Sequence, residues 1–210
     1  MGIVQRTTEA VDGAPPAALE VVLVRHGITA WNQDQRLQGQ LDVPLAPEGI
    51  AQAEQLGAHL ARLGLAFDRV VASDLARARV TADIVVAALG GAPVALDPRW
   101  RERHLGELQG RRWSELGNTG HDVIATIEDP PGGEPRGAQL ARVAAALDGL
   151  RAQHPAGRVL VVTHGGCVKA ALELADIGAR IVPNASLTEL RALPEGGWVA
   201  GSIGDTTYLG

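Results

Sequence analysis

Two apolar runs each end in a histidine followed by glycine: Val21–Val24 leads into Arg25-His26-Gly27, and Val159–Val162 leads into Thr163-His164-Gly165-Gly166. Groups at the carboxyl ends of parallel strands lie where open α/β sheets bind their ligands. Arg25, Thr29 and Asn32 add a cation and two polar side chains to the first of these ends. The glycine beside each histidine leaves room for a phosphate or a backbone to come close. A strand ending in polar loop residues explains either motif alone. Two such ends, 138 residues apart, converge if their strands are neighbours. Helices starting just beyond them would add backbone N–H donors, so the chemistry the pair offers is phosphate binding.

The elements that must place these groups follow from the pattern. Short β-rich runs alternate with longer helical segments from Leu19 onward, as expected of a parallel-sheet α/β domain. Strands are expected over Glu20–Val24, Arg69–Ala72, Val94–Leu96 and Arg158–Thr163, with a terminal pair over Ser186–Leu193 and Gly197–Ile203. Pro47 opens a helix to about Gly64, in which Ile50, Ala53, Leu56, Leu60 and Leu63 fall at helical spacing. Ser73 and Asp74 offer N-caps for a helix to about Leu89. Glu134–Gln153 and Gly165–Leu174 complete the helices, and 117–133, which has no steady period, is expected to be a loop or lid.

The 210 residues suit one core, so 19–210 is expected to form a single domain behind a poorly ordered tail at 1–18 that is rich in Ala, Pro and Gly. A net charge of −5 argues against broad attraction to nucleic acid or to an anionic membrane, and no apolar run approaches the ~20 residues that span a bilayer. The lone Cys167 excludes an internal disulfide and fits a cytoplasmic location. A homodimer is left open. His59, His104, His121 and His154 show no ligand spacing for a metal site. Cys167, in an apolar helix, is read as a buried small residue, and Arg111-Arg112 as a solvated turn. Trp100, Trp113 and Trp198 are read as packing residues, and Trp31 as a candidate for the pocket wall.

The ordered set Arg25-His26-Gly27, Ser73-Asp74-Leu75-Ala76-Arg77-Ala78, Glu102 and His164-Gly165 resembles the histidine phosphatase superfamily, also called phosphoglycerate mutase-like. Arg36-Leu37-Gln38-Gly39, Asp42, Pro44-Leu45, Gly49 and Gln52-Ala53 resemble the segment the family carries after its first motif. The resemblance covers about residues 20 to 192 and implies a three-layer αβα sandwich with a mixed, mainly parallel central sheet. It implies His26 as nucleophile, Arg25, Arg77 and His164 around the phosphate, and Glu102 as proton donor. Asn32, Gln38, Gly39 and Gly165 join the substrate-binding set, with no metal and no cofactor.

The residue types suit those roles. A histidine attacks phosphorus through one neutral ring nitrogen while the other holds a proton fixed by an acceptor. Two arginine forks hold phosphoryl oxygens and offset the charge spread over them, which makes a metal redundant. His164 donates another hydrogen bond, and Asn32 orients without adding charge. Glu102 protonates the leaving oxygen and then activates water.

Within the superfamily the choice lies between hydrolysis and phosphoryl transfer by a mutase, with a non-catalytic phosphate-binding module as the remaining alternative. Glu102–Gly110 is similar to the corresponding mutase segment, but Leu105 and Glu107 depart from its usual Tyr and Gly. Only 62 residues separate Glu102 from His164, and Asp122, Glu128 and Asp129 give the intervening stretch an acidic character that would repel a substrate carboxylate. A phosphatase acting on a small phosphomonoester is therefore favoured. The Arg36–Asp42 and Glu102–Gly106 segments are also similar to glucosyl-3-phosphoglycerate phosphatases and to related broad-specificity phosphatases.

Overall fold

A computed structural model describes residues 18–116, 127–178 and 180–210. The expected tail at 1–18 lies outside the described residues except for Ala18, and so does the 117–126 part of the expected lid.

Six strands form one sheet: β1 (Leu19–Arg25), β2 (Arg69–Ala72), β3 (Val94–Leu96), β4 (Gly157–Thr163), β5 (Leu187–Ala192) and β6 (Trp198–Ala200), in the order β3-β2-β4-β1-β5-β6. The first four strands in that order are parallel, and β5 and β6 join antiparallel. The helices are α1 (Ala30–Gln33), α2 (Pro47–Arg62), α3 (Ala76–Ala88), α4 (Arg136–Gln153) and α5 (Gly165–Leu174).

Side chains alternate across a strand, so the apolar runs of β1 and β4 feed two cores. Leu19, Val21, Leu23, Val159 and Val161 face one core, which α4 and α5 close with Val143, Leu147, Val168 and Leu172. Val22, Val24, Leu160 and Val162 face the other, closed by α2 and α3 with Leu56, Leu60, Ala82 and Val85. This is the expected α/β sandwich: helices on both faces of a mixed, mostly parallel sheet. No helix among the described residues is long and apolar enough to cross a membrane.

Several local expectations are corrected. Ser73 and Asp74 do not cap α3, which starts at Ala76 with Leu75 at the cap position. The orphan N–H of Ala76 is met instead by Asp42 Oδ1 at 2.7 Å, from a loop far away in sequence. Asp74 is turned to Arg101, 2.5 Å away, which lowers its carboxyl from the ordinary value chiefly through that hydrogen bond. Helix α4 starts two residues later than expected because Pro135 occupies the cap position. The terminal strands are shorter than expected, and the turn between them runs through Gly196 and Gly197 at φ of 106° and 81°, a region that favours glycine.

Candidate active site

The register of the sheet builds the site. β1 and β4 pair in parallel up to Arg25 opposite Thr163, and the His26 N–H continues the ladder to the Thr163 carbonyl at 2.9 Å. His26 and His164 therefore leave adjacent strand ends side by side, with ring centroids 5.1 Å apart and planes at 61°. β2 flanks β4 on its other side, and the Ser73 N–H reaches the Val162 carbonyl at 2.9 Å. That brings Ser73 Oγ to 2.9 Å from His164 Nε2.

Both histidines are held in defined roles. His26 Nδ1 lies 2.7 Å from its neighbour's carbonyl, Gly27 O, which fixes the proton on that nitrogen and leaves Nε2 as the free lone pair. Burial, then the charges of Arg77 and Arg25, hold the His26 imidazole well below its ordinary value, so the ring stays neutral where a free histidine would take a proton. Ser73 Oγ accepts the Leu75 N–H at 3.3 Å, which leaves its own proton to donate to His164 Nε2. His164 Nδ1 then carries the proton, and it is a buried atom with no partner among the described residues.

Arg77 is a buried cation and Arg25 a half-buried one, both without ion pairs among the described residues. Arg25 Nη1 donates to Val182 O at 2.6 Å; Arg77 Nη1 and Nη2 donate to Leu41 O and Gly39 O at 2.8 and 2.7 Å. These bonds fix each fork, yet the Nε of both arginines is buried and unpartnered among the described residues. Burial brings both guanidinium groups down to about 10, partly offset by Glu102, and they remain charged at neutral pH. Buried positive charge of this kind is costly until an anion meets it.

A hollow of about 60 Å³ is lined by Arg25, His26, Asn32, Gln38, Gly39, Arg77 and Glu102, so the structure gathers these predicted residues around one space. Gln38, which also lines the hollow, has a buried Oε1 without a partner among the described residues. Gly39 sits at φ 53°, and a Cβ on it would overlap the Gln109 side chain. Asn32 closes a capping box with Thr29, its Oδ1 accepting from the Thr29 N–H at 3.1 Å, so only the amide nitrogen remains to donate. Gly165 stands at the start of α5 on a larger chamber that adjoins the hollow.

Glu102 is positioned from four directions. The turn Pro98–Trp100 after β3 delivers it, and Arg142 on α4 holds the approach by donating to Arg99 O and Arg101 O at 2.6 and 2.9 Å. Its carboxylate accepts the N–H groups of Arg103 and Gly166 at 2.8 and 3.0 Å, with Gln139 Nε2 at 3.5 Å. The α5 N-terminus was expected to donate to phosphate; Gly166 donates to this carboxylate instead. A Cβ on Gly166 would overlap Glu102 Oε1, the far end of a flexible side chain. Gly166→Ala is therefore expected to lower turnover of an alkyl phosphate about tenfold or more with little change in melting temperature. Kinetics alongside thermal unfolding checks this; unchanged turnover would show that the carboxylate can sit elsewhere.

Some expectations fail at the site. At Gly27, of the two expected occupants, it is a backbone that comes close: a Cβ there would overlap the carbonyl of Gly49 at the start of α2. Trp113, not Trp31, lines the hollow; Trp31 packs over Gly110. Glu128 lies 3.9 Å from Arg136, which offsets part of the acidic charge read in that segment. Cys167 is buried, donates to Arg101 O at 2.9 Å, and burial pushes its thiol up to about 12, which leaves it inert.

The sequence reading missed Asn184, whose Nδ2 donates to His26 O at 3.0 Å and stands 3.4 Å from Gly27 O. Its signal was its place just before β5, whose first residues lie beside the last residues of β1 once the two pair antiparallel. Arg103 was also missed. It is 1% exposed and ties the Ile127, Glu128 and Glu134 carbonyls to the segment that carries Glu102.

The model of the histidine phosphatase superfamily, branch 1, matches residues 21–206. The chain belongs to this superfamily. It is 34% identical over 200 residues to phosphoglycerate mutase-like protein 4 of Arabidopsis thaliana, covering 90% of this chain and 86% of that one. Among solved structures, a mycobacterial glucosyl-3-phosphoglycerate phosphatase in complex with VO3 superposes with a TM-score of 0.78 at 30% identity, covering 89% of this chain and 99% of that one. A phosphoglycerate mutase from Bacillus anthracis superposes with a TM-score of 0.79 at 26% identity, over 92% and 96% of the two chains. The superfamily thus includes neighbours of both kinds, phosphatase and mutase. Among the described residues, no group of three or more His, Cys, Asp or Glu side chains is placed to hold a metal ion.

Proposed function

We propose that the chain hydrolyses phosphomonoesters by way of a phosphohistidine on His26, acting on a small-molecule substrate. The observation that carries this reading is the environment of His26: a neutral ring pinned through Nδ1 to Gly27 O, beside two arginines whose Nε groups are buried and unpartnered among the described residues. The free Nε2 attacks phosphorus. Arg25, Arg77, His164 Nδ1 and Asn32 hold the equatorial oxygens as charge moves onto them, and Gln38 and Gly39 shape the hollow around them. Glu102, at the edge of that hollow, gives a proton to the departing alcohol and then takes one from the water that attacks phosphohistidine. No metal or cofactor has a part in these steps.

The phosphatase reading is tested by measuring inorganic phosphate released from a panel of phosphomonoesters after prolonged EDTA treatment. Hydrolysis at an undiminished rate is expected. Loss with EDTA and recovery with Mg²⁺ or Zn²⁺ would overturn the metal-free mechanism. The relatives named as mutases motivate one second reading, intramolecular phosphoryl transfer. Conversion of 3-phosphoglycerate to 2-phosphoglycerate with its bisphosphate, faster than phosphate release, would decide for it.

A further inference from the structure

Two spaces of unequal size meet at Glu102. The hollow around His26 holds about 60 Å³, while a chamber of about 810 Å³ opens on its other side. Arg25, Asn32, Glu102 and Trp113 line both. A water takes up about 30 Å³ in the liquid, so the hollow has room for a phosphoryl group and little else. The chamber is in the upper part of the range of sites that enclose whole organic ligands, about 300–1,000 Å³. Under the phosphatase reading, on which this inference rests, Glu102 marks the bridging ester oxygen, and the alcohol side of the substrate has the chamber to occupy.

The chamber wall states what kind of alcohol fits. Ile28, Leu140, Ala170, Ile177 and Val182 give it apolar surface. Several of its polar side chains are committed within the protein: Gln52 accepts the Ile28 N–H at 2.8 Å, Asn184 donates to His26 O, Gln139 reaches toward Glu102, and Arg136 pairs with Glu173 at 2.5 Å. The cations Arg103, Lys169 and Arg180 also line the chamber; Arg103 is tied to three backbone carbonyls, and Lys169 and Arg180 have partners within the protein too. A polyhydroxylated alcohol would surrender its water here to side chains already engaged, whereas an apolar one loses nothing by leaving water. We infer that the chamber is the alcohol subsite, and that it selects phosphomonoesters of bulky, largely apolar alcohols over those of small polyols and hydroxyacids.

The test compares 2-phenylethyl phosphate with glycerol 3-phosphate and 3-phosphoglycerate, esters whose alkoxide leaving groups are similarly poor, so that size and polarity decide the outcome. The expected kcat/KM for the phenylethyl ester exceeds the other two by about tenfold or more. Ala170→Phe, which narrows the chamber, and Leu140→Gln, which makes a half-buried wall position polar, should each lower that value several-fold while leaving glycerol 3-phosphate within about twofold. Because Ala170 is buried, the Leu140 variant keeps the test open if the Phe variant fails to fold. Equal kcat/KM for the three esters, a preference for either polar ester, or equal losses for all of them in the variants would overturn the subsite while phosphate release still stood. Mutase turnover of 3-phosphoglycerate without phosphate release from any ester would overturn the phosphatase reading, and the subsite with it.

Discussion

His26→Ala is expected to lower turnover of an alkyl phosphate on the order of 10⁴-fold or more, with the chain still folded. An exposed nucleophile at a strand end would contribute little packing, but the ring is 3% exposed, so the substitution does open space. The backbone at this point is held independently of the side chain: the N–H by Thr163 O, the carbonyl by Asn184 and by the N–H of Ala185. Removing the imidazole also removes a polar ring from beside the cations of Arg25 and Arg77. A modest loss of stability, of roughly 1–3 kcal/mol, is the expected accompaniment. The measurement is kcat together with thermal unfolding, and with alkali-quenched samples assayed for an acid-labile phosphoenzyme. Near-wild-type turnover in a folded His26→Ala protein would refute the nucleophile assignment. A labelled phosphoenzyme that persists in the variant would move it to another residue.

Glu102→Gln should cost on the order of 10²–10⁴-fold for an alkyl phosphate. Two effects are combined in that loss. An amide cannot donate and retrieve the proton, and it also replaces one accepting oxygen with an NH2 group that faces either the Arg103 or the Gly166 N–H. The leaving group separates the two effects. p-Nitrophenolate departs with little help from an acid, so its phosphorylation step should be far less impaired than that of an alkyl ester, and phosphohistidine should accumulate because the water-activating step remains slow. Equal losses for both esters, under conditions where phosphorylation limits the rate, would mean that Glu102 organises the pocket without acting as the acid. Gly166→Ala is the complementary case: it keeps the carboxylate and disturbs only its position.

The strand ends were legible because their information is local. A run such as Val21–Val24 that is apolar at every position is a strand buried on both faces, and a charged triplet after it must lie at its carboxyl end. The pairing of β1 with β4, with Arg25 opposite Thr163, was legible only as a condition under which two distant histidines would meet. The caps of α3 were misread because the polar pair Ser73-Asp74 offers a plausible local solution, while the real partner, Asp42, arrives from a loop through tertiary packing. Ser73 was quoted with its motif, but nothing in that motif shows that its hydroxyl fixes a histidine on a neighbouring strand. Asn184 and Gly166 escaped for a related reason. One acts from the antiparallel edge of the sheet and the other by lacking a side chain, and neither property has a spacing of its own.

The parallel pairing of β1 with β4 also constrains how the protein comes to be active. Strand partners so far apart in the chain must close a long loop before any of their contacts offset the lost chain entropy, which makes such pairings slow relative to helices and hairpins. Helices α2 and α3 and the β5–β6 hairpin can form from neighbouring residues, yet none of them brings the proposed nucleophile to the other residues of the site. His26 meets His164 only when β4 has been inserted between β1 and β2. On the proposed mechanism, partly folded chains are expected to be catalytically silent, with turnover confined to molecules whose central sheet is fully assembled.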